Sequence, residues 1–341
     1  MRNEIRCAAI GLGRLGFQHA EILHSRIKSA KLVKVVSARR ESAEKAAAEL
    51  GGVPWTTDPD EVFADPDIDA VLINSPTDTH AAYIREAARH GKHIFVEKPI
   101  APTVEEAVEA AKAVREYGVL CQVGFMRRFD PAYAEAKRRI EAGHIGKPIY
   151  FKGVSRDPVS PPEAYIRHSG GIFLDLAIHD FDIARYLIGS EVKAVRSMGS
   201  IQLHPFMADC NDVDQALTYL TFESGAAGDV ESSRNAGYGY DIRGEVVGTE
   251  GTLQIGSLRC GDLNLLSPQG RSHRIVPEFA TRFREAFELE LTHFIECLRT
   301  GRRPDCTAED GIRALEIARA ATESYLSGKE VAIEGQISCF Q

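Results

Sequence analysis

Three side chains in this sequence are of the types that joint proton and hydride chemistry requires. Asp175 and His179 stand four apart within Gly170-Gly-Ile-Phe-Leu-Asp-Leu-Ala-Ile-His-Asp-Phe-Asp182, so on a helix they share one face. Histidine titrates near neutrality and suits the base that takes a hydroxyl proton while hydride leaves carbon. A carboxylate one turn earlier would orient the imidazole or hold an adjacent hydroxyl. Lys98, within Glu97-Lys98-Pro99, could donate to the same hydroxyl and to a nicotinamide ribose. Each group also has a plainer reading: alone, Lys98 is a surface lysine and the Asp/His pair is structural. His179, Asp180 and Asp182 raise a metal site too, but no cysteine or second histidine lies at ligand spacing, so no metal is expected.

Something must position these groups, and the N-terminal third has the pattern to do so. Gly11-Leu-Gly13-Arg14-Leu15-Gly16 follows the apolar run Ile5–Ile10 and opens a helix, with a second strand ending about 20 residues on. Gly11 permits a tight turn, Gly13 lets backbone approach a pyrophosphate, and Gly16 allows close helix–strand packing. The helix N-terminus then presents unpaired N–H groups to phosphate. An acidic residue at the end of the second strand would hold the ribose hydroxyls of NAD. Ser37 and Ala38 stand there, followed by Arg39 and Arg40, a set that accepts a 2′-phosphate. NADP is therefore expected ahead of NAD, with use of both open. In the other reading Arg39 stacks on the adenine and Arg40 is a solvated charge at a helix start.

Strand-like and helix-like segments alternate up to residue 123. Apolar runs at 31–37, 70–73, 93–96 and 119–123 are separated by helical patterns at 41–50, 81–90 and 103–117. From about residue 148 the texture changes to strand runs at 148–154, 193–203, 214–222, 226–233, 240–247 and 252–255, with glycine turns between several of them. A helix near 174–187 interrupts them, and helices near 283–299 and 308–326 close the chain. The fold class is α/β: an N-terminal Rossmann doubly wound parallel sheet plus a C-terminal α+β domain with a mostly antiparallel sheet. Residues 1–123 are expected to bind the dinucleotide, and 124–341 to bind substrate and oligomerise.

Composition narrows the partners. Hydrophobic residues at 44% and charged residues at 26% are ordinary for a globular protein and exclude a disordered chain. A net charge of -8 argues against a nucleic-acid partner. No apolar run approaches the roughly 18 residues of a membrane helix, so no membrane partner is expected. The apolar run at the N-terminus is too short for a secretory signal. Cysteines at 7, 121, 210, 260, 297, 306 and 339 form no CxxC pair, so neither zinc nor a disulfide framework is signalled. A cytoplasmic, reduced protein is expected.

The glycine loop, Glu97-Lys98-Pro99 and Asp175-xxx-His179, in that order, resemble the Gfo/Idh/MocA family of NAD(P)-dependent oxidoreductases. The inositol 2-dehydrogenase branch is the nearer match, through Gly124-Phe-Met-Arg-Arg-Phe-Asp-Pro131, Ser155-Arg-Asp-Pro158, Tyr238-Gly-Tyr-Asp-Ile-Arg-Gly-Glu-Val-Val-Gly248, Arg282-Phe-Arg-Glu-Ala-Phe287 and Asp310-Gly311. The resemblance implies that His179 is the general base, assisted by Asp175, and that Lys98 polarises the reacting hydroxyl. It implies that Met126, Arg127, Asp157 and Tyr238 join them in lining a polyol pocket. It places Ser75, Pro76, Thr77 and His80, with Glu97 and Lys98, on the nicotinamide side. Without the family, residues 74–77 are a turn and His80 an ordinary helix-start residue. The family also implies a homotetramer packed through the sheet of the second domain.

Some positions depart from the family pattern. Ser37 stands where NAD-using relatives carry an acid, Asp157 where some have Asn, and Arg243 where some have Gln. The expected reaction is oxidation of a secondary hydroxyl of myo-inositol or another inositol isomer to the ketone. Alternatives are a pyranose dehydrogenase, an NADPH-dependent sugar-ketone reductase, and a glycosidase working through a transient oxidation. A non-catalytic NADP sensor would need none of Lys98, Asp175 and His179.

Overall fold

The computed structural model describes residues 4–335; Cys339 lies outside them. Two compact units emerge, each described by itself. Residues up to Phe129 form the first together with Glu285–Ile312, and Asp130–Arg284 with the residues from Arg313 onward form the second.

The first unit is built on strands β1 (Ile5–Ile10), β2 (Ala30–Val36), β3 (Trp55–Thr56), β4 (Ala70–Ile73), β5 (His93–Glu97) and β6 (Cys121–Gly124). They form one sheet in the order β3-β2-β1-β4-β5-β6, every pair parallel. The helices are α1 (Arg14–Ser25), α2 (Arg40–Glu49), α3 (Asp60–Phe63), α4 (Thr77–Arg89) and α5 (Val104–Glu116). β4 is apolar and fully buried along its length, as a strand covered on both faces must be. Small residues let the helices approach closely: α4 buries Ala81, Ala87 and Ala88, and α5 buries Ala107, Ala110 and Ala111. Thr103 caps α5 by accepting the Glu106 N–H, satisfying one of the helix's orphan donors. The chain winds one way from β1 to β2 and the other from β1 to β4, so the loops after β1 and β4 open side by side at the switch point, where such sheets bind ligands. The sequence pattern did not announce β3, whose two residues carry no period of their own.

The second unit opens with α6 (Pro131–Glu141), capped by the Asp130 carboxylate on the Ala132 and Tyr133 N–H groups. It continues through β7 (Pro148–Arg156), α7 (Glu163–Ser169), α8 (Ile178–Ile188), β8 (Val192–Ser200), β9 (Gln215–Phe222), β10 (Ala227–Ser233), β11 (Asp241–Gly248) and β12 (Thr252–Ile255). A hairpin of β13 (Arg259–Ser267) and β14 (Gly270–Ile275) follows, then α9 (Phe279–Arg282) and α10 (Arg284–Thr300). All but the first residue of α10 belongs to the first unit, where its Phe294 ring lies 5.9 Å from that of Phe95. α11 (Ala308–Ser327) and β15 (Val331–Ala332) end the described chain.

The large sheet runs β12-β11-β7-β10-β9-β8-β15. It is antiparallel except for one pair, β7 with β10, which is parallel. β9 alternates strictly: Ala216, Thr218, Leu220 and Phe222 are buried while Leu217 and Tyr219 are exposed. This is the period of a strand with one face covered. The helix expected near 174–187 needs a correction. Residues Phe173–Ala177 are wound as a π-helix, and only from Ile178 does the winding become α-helical. Such wide turns are rare and concentrate at functional sites.

Candidate active site

In the first unit the glycine loop has the shape its spacing predicts, and each glycine has its own reason. Gly11 adopts φ +91°, and a Cβ there would lie 2.5 Å from the Asn74 and Ser75 backbone. A Cβ on Gly16 would meet the Gly11 carbonyl oxygen at 2.0 Å. Gly13 is different: nothing lies within 4 Å of its absent Cβ, and it is exposed. It is also the N-cap of α1, without a side-chain cap, so the first N–H groups of the helix face a cradle that a Cβ would begin to fill. This arrangement fits a dinucleotide pyrophosphate. Arg14 and Leu15 form the first turn of that helix.

Ser37 follows β2 and donates its backbone N–H to Thr56 O at 3.3 Å. Arg39 is the extended N-cap of α2 and is exposed. Arg40 donates to Glu44 at 2.8 Å and lies 5.4 Å over the Trp55 ring, so its guanidinium already has partners.

Ser75, Pro76 and Thr77 form the turn from β4 into α4. His80 is buried one turn further on, with Nδ1 2.8 Å from Pro99 O and Nε2 2.8 Å from Ser75 O. Both ring nitrogens thus face protein carbonyls, and the residue ties the β4 loop to the turn that carries Lys98. Burial holds its pKa below the usual value, against the pull of those two carbonyls. Lys98 is half-buried and followed by a cis peptide bond to Pro99. Beneath it, Glu97 Oε2 accepts the Lys98 N–H at 3.2 Å, and Oε1 lies 3.6 Å from His19 Nε2. His19 Nδ1 pairs with Asn74 Oδ1 at 2.9 Å, so that nitrogen carries the hydrogen and Nε2 is bare. Burial drives the Glu97 carboxyl up to about 7 and the His19 imidazole down to about 4. Burial thus disfavours charge on both groups. Met126 and Arg127 lie buried in the 3-10 turn after β6.

In the second unit the parallel pair sets the geometry. β7 and β10 run side by side to Arg156 and Ser233, and the Asp157 N–H continues the ladder to Ser233 O at 2.8 Å. Asp157 and Arg234 are thus the residues just past the carboxyl ends of adjacent parallel strands. Arg234, with a fully buried side chain, donates through Nη2 to Asp175 Oδ2 at 3.0 Å. Its Nη1 lies 3.6 Å from Asp157 Oδ2. The Tyr165 hydroxyl donates to the other Asp175 oxygen at 2.9 Å, and burial with the nearby carboxylate raises its pKa. Asp212 stands close by, accepting the Ile172 N–H at 2.8 Å, and burial raises its carboxyl above the usual value. His179 is half-buried, four residues beyond Asp175 across the change in helix winding.

The structure thus gathers Asp157 and Asp175 from the expected set. The Tyr238 hydroxyl donates to Asp241 at 2.7 Å and lies 3.0 Å from Nη1 of Arg156, the residue before Asp157. Arg243 also binds Asp241, at 2.7 and 3.0 Å. Asp180 accepts from the Ser155 hydroxyl at 2.5 Å, and Asp182 lies 3.8 Å from Arg185. Among the described residues no cluster of three metal-ligating side chains forms. No described helix is long and apolar enough to cross a membrane. Arg234, Tyr165 and Asp212 were not singled out in the sequence. The available signal was the polar run Glu231-Ser-Ser-Arg-Asn235, which breaks the apolar alternation at the end of a strand.

Comparison with known proteins identifies the family. Residues 5–125 match the Gfo/Idh/MocA oxidoreductase model for the NAD-binding Rossmann fold, and residues 137–333 match its C-terminal alpha/beta domain. The chain is 54% identical over 334 residues to the scyllo-inositol 2-dehydrogenase (NAD(+)) of Bacillus subtilis, covering 98% of each. It is 39% identical to the myo-inositol 2-dehydrogenase of Thermotoga maritima, covering 97% of this chain and 99% of that one. The crystal structure of scyllo-inositol dehydrogenase from Lactobacillus casei with bound NAD(H) and scyllo-inositol superposes with a TM-score of 0.93 at 30% identity, covering 97% of this chain and all of that one. With a glycine cradle for a dinucleotide in one unit and anchored carboxylates in the other, the chain belongs to the Gfo/Idh/MocA family of NAD-binding oxidoreductases.

Proposed function

We propose that this oxidoreductase converts a secondary hydroxyl of an inositol to the ketone. The observation that carries the reading is the pair of partly exposed carboxylates, Asp157 and Asp175, anchored on one buried guanidinium. Carboxylates accept hydrogen bonds from neighbouring hydroxyls, and a substrate lacking those hydroxyls leaves them unpaired at a cost. The relatives named for scyllo- and myo-inositol support the same substrate class. In this reaction His179 takes the hydroxyl proton, Asp175 steadies the imidazole and an adjacent hydroxyl, and Lys98 donates to the reacting oxygen as its C–O bond becomes C=O. Met126, Arg127, Asp157 and Tyr238 complete the wall of the site. When bound, the nicotinamide accepts the hydride released from carbon. Gly11, Gly13, Arg14, Leu15 and Gly16 hold the pyrophosphate, while Ser75, Pro76, Thr77, His80 and Glu97 shape the nicotinamide side.

Between the two cofactors, NAD is the better reading. The sequence preference for NADP rests on Ser37 and two arginines, and Arg40 already pairs with Glu44 and Trp55. The relative sharing 54% identity is named for NAD(+). The test is the initial rate of reduced-cofactor formation with scyllo-, myo- and chiro-inositol, and with glucose, using NAD and NADP in parallel. Rapid NAD reduction with an inositol is expected. Faster turnover with NADP would overturn the cofactor assignment, and turnover on glucose alone would move the substrate to pyranoses. Turnover of neither class would end the enzymatic reading of this substrate pocket.

The same reading extends to a homotetramer. Met198 on β8 pairs with Leu217 on β9, and with Tyr219 they leave an apolar outer sheet face exposed. Light scattering on purified protein is expected to give four chains, and a monomer would refute this.

A further inference from the structure

We propose that Arg234 is the positioning residue of the substrate site, keeping Asp157 and Asp175 both ionised and fixed in spacing so that together they accept hydroxyls from one polyol. The proposal rests on the inositol reading above and deepens it.

The geometry sets Arg234 behind the two carboxylates. Its side chain is wholly buried, whereas those of Asp157 and Asp175 remain 22% and 16% exposed. It therefore acts through the carboxylates and does not itself face solvent. Only Nη2 makes a hydrogen bond at normal length; Nη1 and Nε are buried without one. A buried guanidinium is costly unless nearby negative charge compensates it, so Arg234 and its two carboxylates depend on each other. Asp175 accepts from Tyr165 through one oxygen and from Arg234 through the other. A carboxylate has about four acceptor positions, so each oxygen can accept more than one hydrogen bond.

The charges facing this cluster come from several elements. Asp157 follows β7, Asp175 lies in the π turn, Asp212 precedes β9, Tyr165 lies on α7 and Arg234 follows β10. His179 lies one turn beyond Asp175. Asp212 is pushed up by burial, while the positive charge of Arg234 opposes that rise. One guanidinium thus serves a site rich in acids. Without it, two carboxylates would share the site with no compensating cation, which disfavours ionising both. A protonated carboxyl is a donor where the polyol requires an acceptor, and specificity for hydroxyl donors would fall with it.

The experiment compares the wild type with Arg234→Met, Arg234→Lys, Asp157→Asn and the double variant Arg234→Met/Asp157→Asn. Two readouts are taken: the pH profile of kcat/KM with scyllo-inositol and NAD, and the carbon-13 titration of the aspartate carboxyls by NMR. Arg234→Met is expected to lower kcat/KM about 100-fold at neutral pH and to move its acid limb upward by roughly one pH unit or more. The double variant, relieved of one negative charge, returns the acid limb toward the wild type. Arg234→Lys retains the limb but raises KM, because a single ammonium cannot reproduce the fork. A folded Arg234→Met enzyme whose acid limb and carboxyl titrations match the wild type would overturn the proposal. If Arg234→Met does not fold, Asp157→Asn decides: the Asp175 titration is expected to fall, and an unmoved one refutes the coupling. If the wild type oxidises no inositol, the substrate reading fails by itself. The NMR titrations then still judge Arg234, with unchanged Asp157 and Asp175 in the variants counting against it.

Discussion

Gly11 and Asp157 occupy equivalent places in the two units, each just past the carboxyl end of a strand with a parallel neighbour. They are used in opposite ways. At Gly11 the useful feature is the absence of a side chain, and the proposed binding groups are backbone N–H donors at the start of α1. At Asp157 the useful feature is charge, assembled from side chains on four other segments around Arg234. A backbone site can be local and compact in sequence, because one turn carries all its donors. A charged site needs its counter-charge buried beside it, and the sheet delivers that from a distant strand. Substitutions should therefore separate the two: changes around Asp157 should alter proton transfer and substrate choice, and changes in the glycine loop should alter cofactor binding.

The largest effect should come from the proposed base. His179→Asn is expected to lower kcat roughly 10³-fold while cofactor affinity, read by fluorescence quenching or calorimetry, stays near the wild type. The Asn side chain can still hydrogen-bond a hydroxyl but cannot take its proton at neutral pH. Retained kcat would remove His179 from proton transfer and point to Lys98 as the base. Loss of cofactor binding of the same size would mean that the two units do not divide the work as the comparison holds.

Beneath Lys98, the His19–Glu97 pair makes a prediction about stability. His19 has a folded pKa of about 4, below its ordinary 6.5, so unfolding takes up a proton between those values and stability falls as pH drops through them. Glu97 has a folded pKa of about 7, above its ordinary 4.5, so folding takes up a proton there and stability falls as pH rises through that window. Each effect is worth up to about 3 kcal/mol across its window, and between pH 4.5 and 6.5 they oppose each other. Glu97→Gln should therefore lose stability relative to the wild type as pH falls from 6.5 to 4.5. His19→Gln should lose it as pH rises over the same range. Urea midpoints measured along this range check both, and slopes parallel to the wild type in both variants would show that neither group is shifted in the folded protein.

The same contrast explains what could be read from the sequence. The parallel sheet was legible because its strands are short apolar runs separated by alanine-rich helices, a pattern each segment carries alone. The glycine loop was legible because all its constraints fall between residues 11 and 16. Asp175 and His179 were legible as a pair, but the π winding between them was not, since no side chain in Phe173–Ala177 announces a wider turn. Arg234 was hidden for a different reason. An isolated arginine at a strand end reads as a surface charge, and only the parallel pairing of β7 with β10 reveals that it is buried against Asp157. His80 looked like an ordinary helix-start residue, and its role as a tie between Ser75 and Pro99 depends on a contact across the chain.

The smallest effect sharpens the first unit's side of the comparison. Ser37 lies at the end of β2, half-buried, with its N–H already directed to Thr56 O. The backbone at this position is thus fixed, and substitution changes only the side chain, which in the proposed site faces the adenosine ribose. A carboxylate there would accept both ribose hydroxyls of NAD and repel a 2′-phosphate. Ser37→Asp is expected to raise the ratio of kcat/KM for NAD over NADP about tenfold, chiefly through a higher KM for NADP, with kcat on inositol unchanged. The exposed Arg39 limits the gain, because its charge still attracts phosphate from the next turn. If the ratio does not move, the ribose does not reach the end of β2, and the choice of cofactor lies with other groups. If kcat falls with it, the two units are coupled more closely than a backbone cradle and a separate charged pocket would be.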